Sequence, residues 1–293
     1  MQLQDITFRN KSIIENLYCE RPLLIASMHS KERVIGPVME KALGVKPSKC
    51  EGFDTDQFGT FTGEISRHSS ALITARKKCL EAMHTLGFDL AIASEGSFGP
   101  HPQIPFISAN EEILYFIDLK HQIELYVHHI DCETNFKKAE ISDFDTLQRF
   151  AIDIGFPEHG VIFRKDLFSK NTIYKDCMDW RDLKIQFNNY SQLYKTFYIE
   201  TDMRAMRNPT RLKVIERAAE KLVEKITSLC PSCSHPGFDI HNVERGLPCM
   251  QCQLPTKTIK QFIYKCPSCG FQLNQAQTEK QYEDPMYCDI CNP

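Results

Sequence analysis

Four Cys-x-x-Cys pairs after residue 229 limit what this chain can fold into more than any other feature. They are Cys230/Cys233, Cys249/Cys252, Cys266/Cys269 and Cys288/Cys291. Two cysteines at i and i+3 on a tight turn point both thiolates at one ion, and two such knuckles complete a tetrahedron. The 15 residues between the first and second pairs, and the 18 between the third and fourth, fall in the range of four-cysteine zinc sites. Eight thiols therefore predict two zinc ions. The simplest pairing is sequential, first pair with second and third with fourth. A nested pairing stays open, because residues 248–270 alone read as a knuckle–hairpin–knuckle ribbon. His235 and His241 are the alternative ligands. An all-cysteine site saturates its ion and leaves no open position, so the zinc is expected to be structural.

Charge does not point to a nucleic acid. Beyond residue 229, Arg245, Lys257, Lys260, Lys265 and Lys280 face six acids, and the whole chain has a net charge of -3 with a pI near 6.4. Bulk electrostatic attraction to a polyanion is disfavoured. A zinc-stapled tail that packs on the main domain or on a partner is the plainer reading. The other five cysteines (Cys19, Cys50, Cys79, Cys132 and Cys177) have no partner spacing and read as reduced, mostly buried small hydrophobes. Residues 1–20 lack the apolar run of a signal peptide, and the longest apolar stretches, such as LLIA at 23–26, are strand-sized. A cytoplasmic protein without a membrane partner is expected.

The rest of the chain alternates strand and helix patterns. PLLIAS (22–27) reads as a strand, and the stretch from Lys31 to Leu43 as a helix stopped by Gly44. Ser69 or Ser70 caps a helix that Gly87 closes, and FDLAIAS (88–94) reads as a buried strand. Residues 113–130 read as two strands around Lys120-His121, and Ser142 with Asp145 as the cap of a helix through Ile154. A strand over 160–165, a helix over 180–194, a strand over 195–202 and a helix from Asn208-Pro209 to about 228 complete the pattern. The expected fold is α/β, a mixed sheet flanked by helices over residues 1–228, with a sub-boundary near 135. A double zinc ribbon follows over 229–293.

Polar loops at strand ends are where α/β proteins place chemistry. Residues 54–105 hold two of them, GTFTGEISR (59–67) and SEGSFGPHP (94–102), and the loop after the first strand ends at Lys31, at a helix N-terminus. Lys31, Glu64 and Glu95 supply a cation and two acids. Thr60, Thr62, Arg67 and Ser97 supply hydroxyls and a guanidinium. A third cluster, IETDMRAMRNPTR (199–211), adds Glu200, Asp202, Arg204, Arg207 and Arg211, and arginines there can grip a phosphate bidentately. His101, His128 and His129 are further polar candidates, with structural roles the plainer reading.

Two resemblances bear on these motifs. MHSKERVIGP, FDTDQFGTFTGEISR, ASEGSFGPHP, ETDMRAMRNPTR, GLPCMQC and the terminal CDICNP together resemble an uncharacterised bacterial family carrying a domain-of-unknown-function label and ending in a pair of zinc ribbons. That resemblance implies no activity. Over about the first 130 residues the order of elements is similar to the inosine/xanthosine triphosphate pyrophosphatases and to Maf-like folds. It runs strand, Ser/Thr-loop-Lys, helix, acidic loop, Lys-bearing helix, buried strand, acid-Gly. This resemblance implies that Lys31 contacts phosphate with Ser27 and His29 beside it. It also implies that Glu64 and Glu95 bind magnesium and activate water, and that Arg76 and Lys77 are the basic residues of the linking helix. The chain departs from that family in having His29 two residues before Lys31, where an Asn three before is usual, and a single Glu95 in place of a double acid.

The expected function is a metal-dependent hydrolase acting on a nucleotide or other phosphorylated small molecule, with two structural zinc ions and magnesium at the acids. The alternative is a non-enzymatic adaptor that binds a ligand or RNA and whose zinc ribbons recruit a partner.

Overall fold

A computed structural model of the chain describes residues 3–27, 29–55, 70–166 and 173–293, with backbone alone over 3–9. The chain forms two compact units, one of Leu17–Val223 and one of Met1–Asn16 with Glu224–Pro293. The expected boundary lay at 228/229. The division falls earlier because Lys225 already pairs with Asp239 (3.1 Å) and the Ser228 carbonyl accepts from Gly237 and Phe238.

Helix α1 (Leu3–Tyr18) falls almost wholly in the smaller unit, and the larger unit then contains β1 (Pro22–Ala26), α2 (Glu32–Leu43), β2 (Lys46–Lys49), α3 (Ala71–Leu86), β3 (Leu90–Pro100), β4 (Ser108–Asp118) and β5 (Ile123–Asp131). The sheet order is β2-β1-β3-β4-β5. β1 runs parallel to β2 and β3, and the β3–β4 and β4–β5 pairs are antiparallel. α2 stops at Gly44, whose φ of 69° is the left-handed conformation that glycine reaches without a Cβ penalty. Ser70 caps α3 by accepting from the Ile73 amide (3.4 Å).

Pleating divides the residues of this sheet between two faces. Leu24, Ala26, Ala91, Ala93 and Ile117 pack against Ala75, Cys79, Ala82 and Met83 of α3. Ile25, on the opposite face, lies beneath Gly36 of α2. Each fully buried Leu or Ile side chain contributes about 1.5–3 kcal/mol.

β3 departs from expectation. A strand ending at Ser94 was predicted, with 94–102 as a loop, but β3 pairs with β4 without a break from Leu90↔Asp118 to Pro100↔Ser108. Gly96 is there for close approach rather than for a turn. A Cβ at that position would collide with the Arg211 guanidinium and the Glu112 carboxylate.

The second sheet contains β6 (Lys138–Ile141), β7 (Val161–Arg164), β8 (Ile173–Tyr174) and β9 (Phe197–Thr201) in the order β6-β9-β7-β8. All its pairs are antiparallel. α4 (Phe144–Ile154) and α5 (Trp180–Leu193) accompany it, and Leu147, Ala151, Phe163, Leu183 and Phe197 fill its core. The cap of α4 is Asp143, which accepts from the Thr146 amide (2.7 Å), and the Ser142 hydroxyl only supports it. α6 (Pro209–Thr227) starts as expected, with the Asn208 side chain accepting from the Arg211 amide (2.9 Å). Three of the scattered cysteines (Cys50, Cys79 and Cys177) are buried; Cys19 and Cys132 are exposed.

The smaller unit contains an antiparallel sheet of β10 (Asp239–Arg245), β11 (Ile259–Lys265) and β12 (Gln272–Ala276), in that order.

Candidate metal centres and candidate ligand site

The eight cysteines gather into two clusters, and the pairing is neither sequential nor nested. Cys230 and Cys233 join Cys266 and Cys269, whereas Cys249 and Cys252 join Cys288 and Cys291. The first pair thus meets the third and the second meets the fourth. The hairpin is the reason. Asp239↔Lys265 pairing brings the knuckle before β10 beside the knuckle after β11. At the other end of the same strands, the Cys249↔Glu283 bridge draws the C-terminal knuckle to the one at 249–252. Seven residues of strand put the two centres on the order of 20 Å apart.

Sulfur spacing tests the metal. Zinc–sulfur bonds of about 2.3 Å at tetrahedral angles place sulfurs about 3.8 Å apart, against about 2.05 Å in a disulfide. The Sγ–Sγ distances are 3.7 Å (Cys230–Cys269), 3.6 Å (Cys233–Cys266), 3.9 Å (Cys249–Cys291) and 3.7 Å (Cys252–Cys288). The residues fit zinc. The Phe271 amide and the neighbouring thiols bring Cys269 down to about 7, and the Cys291 and Ile290 amides do the same for Cys288, while burial and the neighbouring thiols push Cys233 up and the neighbouring thiols push Cys291 up. His235, which contacts the Pro236 carbonyl (2.7 Å), and His241, exposed on β10, belong to neither cluster.

The second site forms where β1 ends. Among the described residues, β3 has no partner on the β1 side beyond Ala93, and the Lys31 amine lies there. Its Nζ lies 3.1 Å from the Ser94 carbonyl and 3.0 Å from Ser94 Oγ. Ser94 Oγ donates to Glu112 (3.3 Å), Glu112 lies 4.0 Å from Lys31, and Arg211 Nε donates to Glu112 (2.7 Å). Arg211 also covers the Phe98 ring at 5.1 Å. Glu95 points to the other face of the strand and pairs with Lys78 of α3. All six of these groups, Lys31, Lys78, Ser94, Glu95, Glu112 and Arg211, are buried.

Burial, then the neighbouring Arg211, lowers Lys31 to about 7, against the opposing pull of Glu112 and Glu95. Burial alone would raise Glu112, but Arg211 and Lys31 outweigh it and hold the carboxyl below its ordinary range. Asn110, two residues from Glu112 on the same face, is fully buried, and among the described residues neither of its amide atoms has a hydrogen-bond partner.

Of the expected site residues, Lys31 and Arg211 meet at Glu112, whereas Glu95 lies on the other face of β3 with Lys78. Glu64, Thr60, Thr62 and Arg67 lie outside the described residues. Ser27 lines a hollow of about 570 Å³ with Ser30, Cys50 and Phe53, His29 is half-buried just after β1, and Ser97 is exposed on β3. The 199–211 cluster divides. Arg204 grips Asp202 (2.7 Å) and Asp176 (3.1 Å), and Arg207 donates to the Cys177 carbonyl (2.7 Å). Glu200 pairs with Arg164 (2.6 Å), so only Arg211 reaches Glu112.

On α3 the basic residue that reaches β3 is Lys78, whereas Arg76 pairs with Glu124 and Lys77 with Glu81. His101 accepts from the amides of Gln103 and Ile104, and His128 pairs with Glu111. His129 sits against Lys221 (2.9 Å) and is lowered by burial and by that lysine. Sequence reasoning missed Glu112, Ser94 and Lys78. Glu112 was detectable as an acid at period two with Leu114 and Phe116 in a strand, and Lys78 as the one charge on the Ala75–Cys79–Ala82 face of its helix.

Among the described residues, the only groups of three or more metal-ligating side chains close enough to share an ion are the two cysteine clusters. No helix among them is long and apolar enough to cross a membrane.

The sequence matches a domain of unknown function, DUF6671, over residues 78–293. The chain belongs to the DUF6671 family. The matched span contains all eight paired cysteines together with Lys78, Ser94, Glu95, Glu112 and Arg211, and Lys31 precedes it. A search of curated proteins found no match.

Proposed function

We propose that the unit of Leu17–Val223 is a metal-dependent hydrolase acting on a nucleotide or another phosphorylated small molecule, with chemistry of the nucleoside triphosphate pyrophosphohydrolase type. The observation that carries this reading is the Lys31–Ser94 contact, just beyond the carboxyl end of β1 and beside the middle of β3. β1 lies between β2 and β3, and the chain runs from β1 through α2 to β2 on one side of it and then from β2 through α3 to β3 on its other side. Open α/β sheets receive ligands at such a switch point.

Lys31 and Arg211, which meet at Glu112, would supply cations for phosphoryl oxygens, and Lys78 stands with Glu95 on the other face of β3. With an amine at about 7, Lys31 can also give or take a proton near neutrality. Glu95 and Glu64 are the carboxylates that would hold magnesium, which supplies charge neutralisation at the transferred phosphoryl group. The resemblance of the first 130 residues to the inosine/xanthosine triphosphate pyrophosphatases supports the same assignment.

The test is turnover of a panel of nucleoside triphosphates with and without magnesium. Magnesium is withheld rather than chelated, because a chelator also attacks the zinc centres. Magnesium-dependent release of pyrophosphate or phosphate that falls at least about 100-fold in Glu95→Gln is expected, in line with loss of a group essential to charge stabilisation. No turnover of any triphosphate, together with an unchanged Glu95→Gln, would remove the reading.

A further inference from the structure

The two edges of the small sheet are built differently. Natural sheets blunt their edges with charge, proline or bulges, because unpaired main-chain groups invite another strand. β10 follows that rule, carrying Asp239, Glu244 and Arg245 and two register shifts against β11. β12 does not. Gln272-Leu273-Asn274-Gln275-Ala276 has no charge and no proline, pairs with β11 without a shift, and is exposed at all five positions. Among the described residues, no strand pairs with its outer side.

A groove of about 850 Å³ opens where β12 ends. Phe262, Met286 and Tyr287 give it an apolar lining, the last two 59% and 62% exposed. Its three cations are matched by three carboxylates, with Lys257 joined to Asp289 and Lys280 to Glu283. The lining therefore offers no surplus charge to a charged occupant. Gln277, also in the groove, is anchored by its own amide to the Lys260 carbonyl and by its side-chain oxygen to the Lys280 amide. Its Nε2 is buried and, among the described residues, has no acceptor.

We propose that β12 and this groove receive an uncharged extended peptide of a partner protein. The peptide adds as a fourth strand along Gln272–Ala276. One of its bulky apolar side chains sits against Phe262, Met286 and Tyr287. In strand addition the main-chain bonds supply affinity and the neighbouring pocket supplies selectivity. An uncharged segment fits because neither the strand nor the groove has net charge to pair with.

The experiment uses the zinc-loaded full chain and a displayed random-peptide library as the probe. Enriched peptides should be uncharged and carry a recurring bulky apolar residue. Binding of a synthetic copy should slow exchange of the outward amides of residues 272–276 at least about tenfold. Two surface variants, Asn274→Lys on the edge and Tyr287→Ser in the groove, should each weaken binding several-fold while zinc stays at two per chain. The proposal is overturned if no peptide is enriched, if the enriched peptides are highly charged, or if both variants bind as well as the parent. It is also overturned if the chain alone sediments as a dimer that Asn274→Lys dissociates, since the occupant of β12 is then a second copy.

Discussion

The cysteine-rich unit and the charged cluster beside β3 both bury polar groups that water would otherwise solvate, and they settle that cost in opposite ways. In the first, eight thiols converge on two points and need an ion at each. In the second, Lys31, Lys78 and Arg211 are matched within the protein by Glu95 and Glu112. The difference teaches where each region is vulnerable. One should collapse when a cation is removed from outside. The other should suffer when a single side chain leaves its partner buried and unpaired.

The sharpest break should come from one cysteine. Because the second knuckle lies within the loop closed by the first and third, the two centres share a hairpin and should fold together. Cys252→Ser is expected to lower bound zinc from two per chain to well under one, measured by metal analysis on the purified chain. Retention of one zinc would show that the centres are independent.

Next in size is Arg211→Met. It leaves Glu112 ionised and buried, at a cost of about 3–5 kcal/mol in denaturant unfolding of the larger unit. The double variant Arg211→Met, Glu112→Gln should recover a good part of that loss, because the uncompensated charge is gone. A loss below about 1 kcal/mol in the single variant would mean that the pair is solvated.

The sequence announced these two regions unequally. Knuckle spacing is a local property, so the ligands were legible, but which knuckles meet depends on β10 and β11 pairing end to end, and no spacing rule encodes that. Ser94 to Pro100 is rich in Gly, Ser and Pro and looks like a loop. It is the second part of the eleven-residue pairing of β3 with β4, which overrides that local preference. Lys31 and Arg211 stood out as cations near turns. Glu112 did not, because a buried acid inside an apolar strand is visible only once its partners from α2 and α6 are in place. Arg204 and Arg207 have the same composition signal as Arg211 but find other partners within the second sheet's surroundings.

A smaller effect separates the regions by pH. Lys31 holds an amine at about 7 when folded, against 10.5 when exposed, so between those values the unfolded chain binds the extra proton. Its contribution to stability therefore rises with pH across that window, by at most about 1.4 kcal/mol per pH unit. Lys31→Met should flatten the rise in unfolding free energy between pH 7 and pH 10, a window read from Lys31 itself. An unchanged slope would assign the pH dependence to other groups.

The central claim is that the two regions stand on different footings, one held by metal and one by its own charges. Hydrogen exchange on the zinc-loaded and zinc-stripped chain tests it most directly. The account predicts that stripping zinc erases protection across β10, β11 and β12 and leaves β1, β3 and β4 protected to within about twofold. Protection that survives in β10–β12 without zinc, or that is lost from β3 and β4 along with it, would contradict the account.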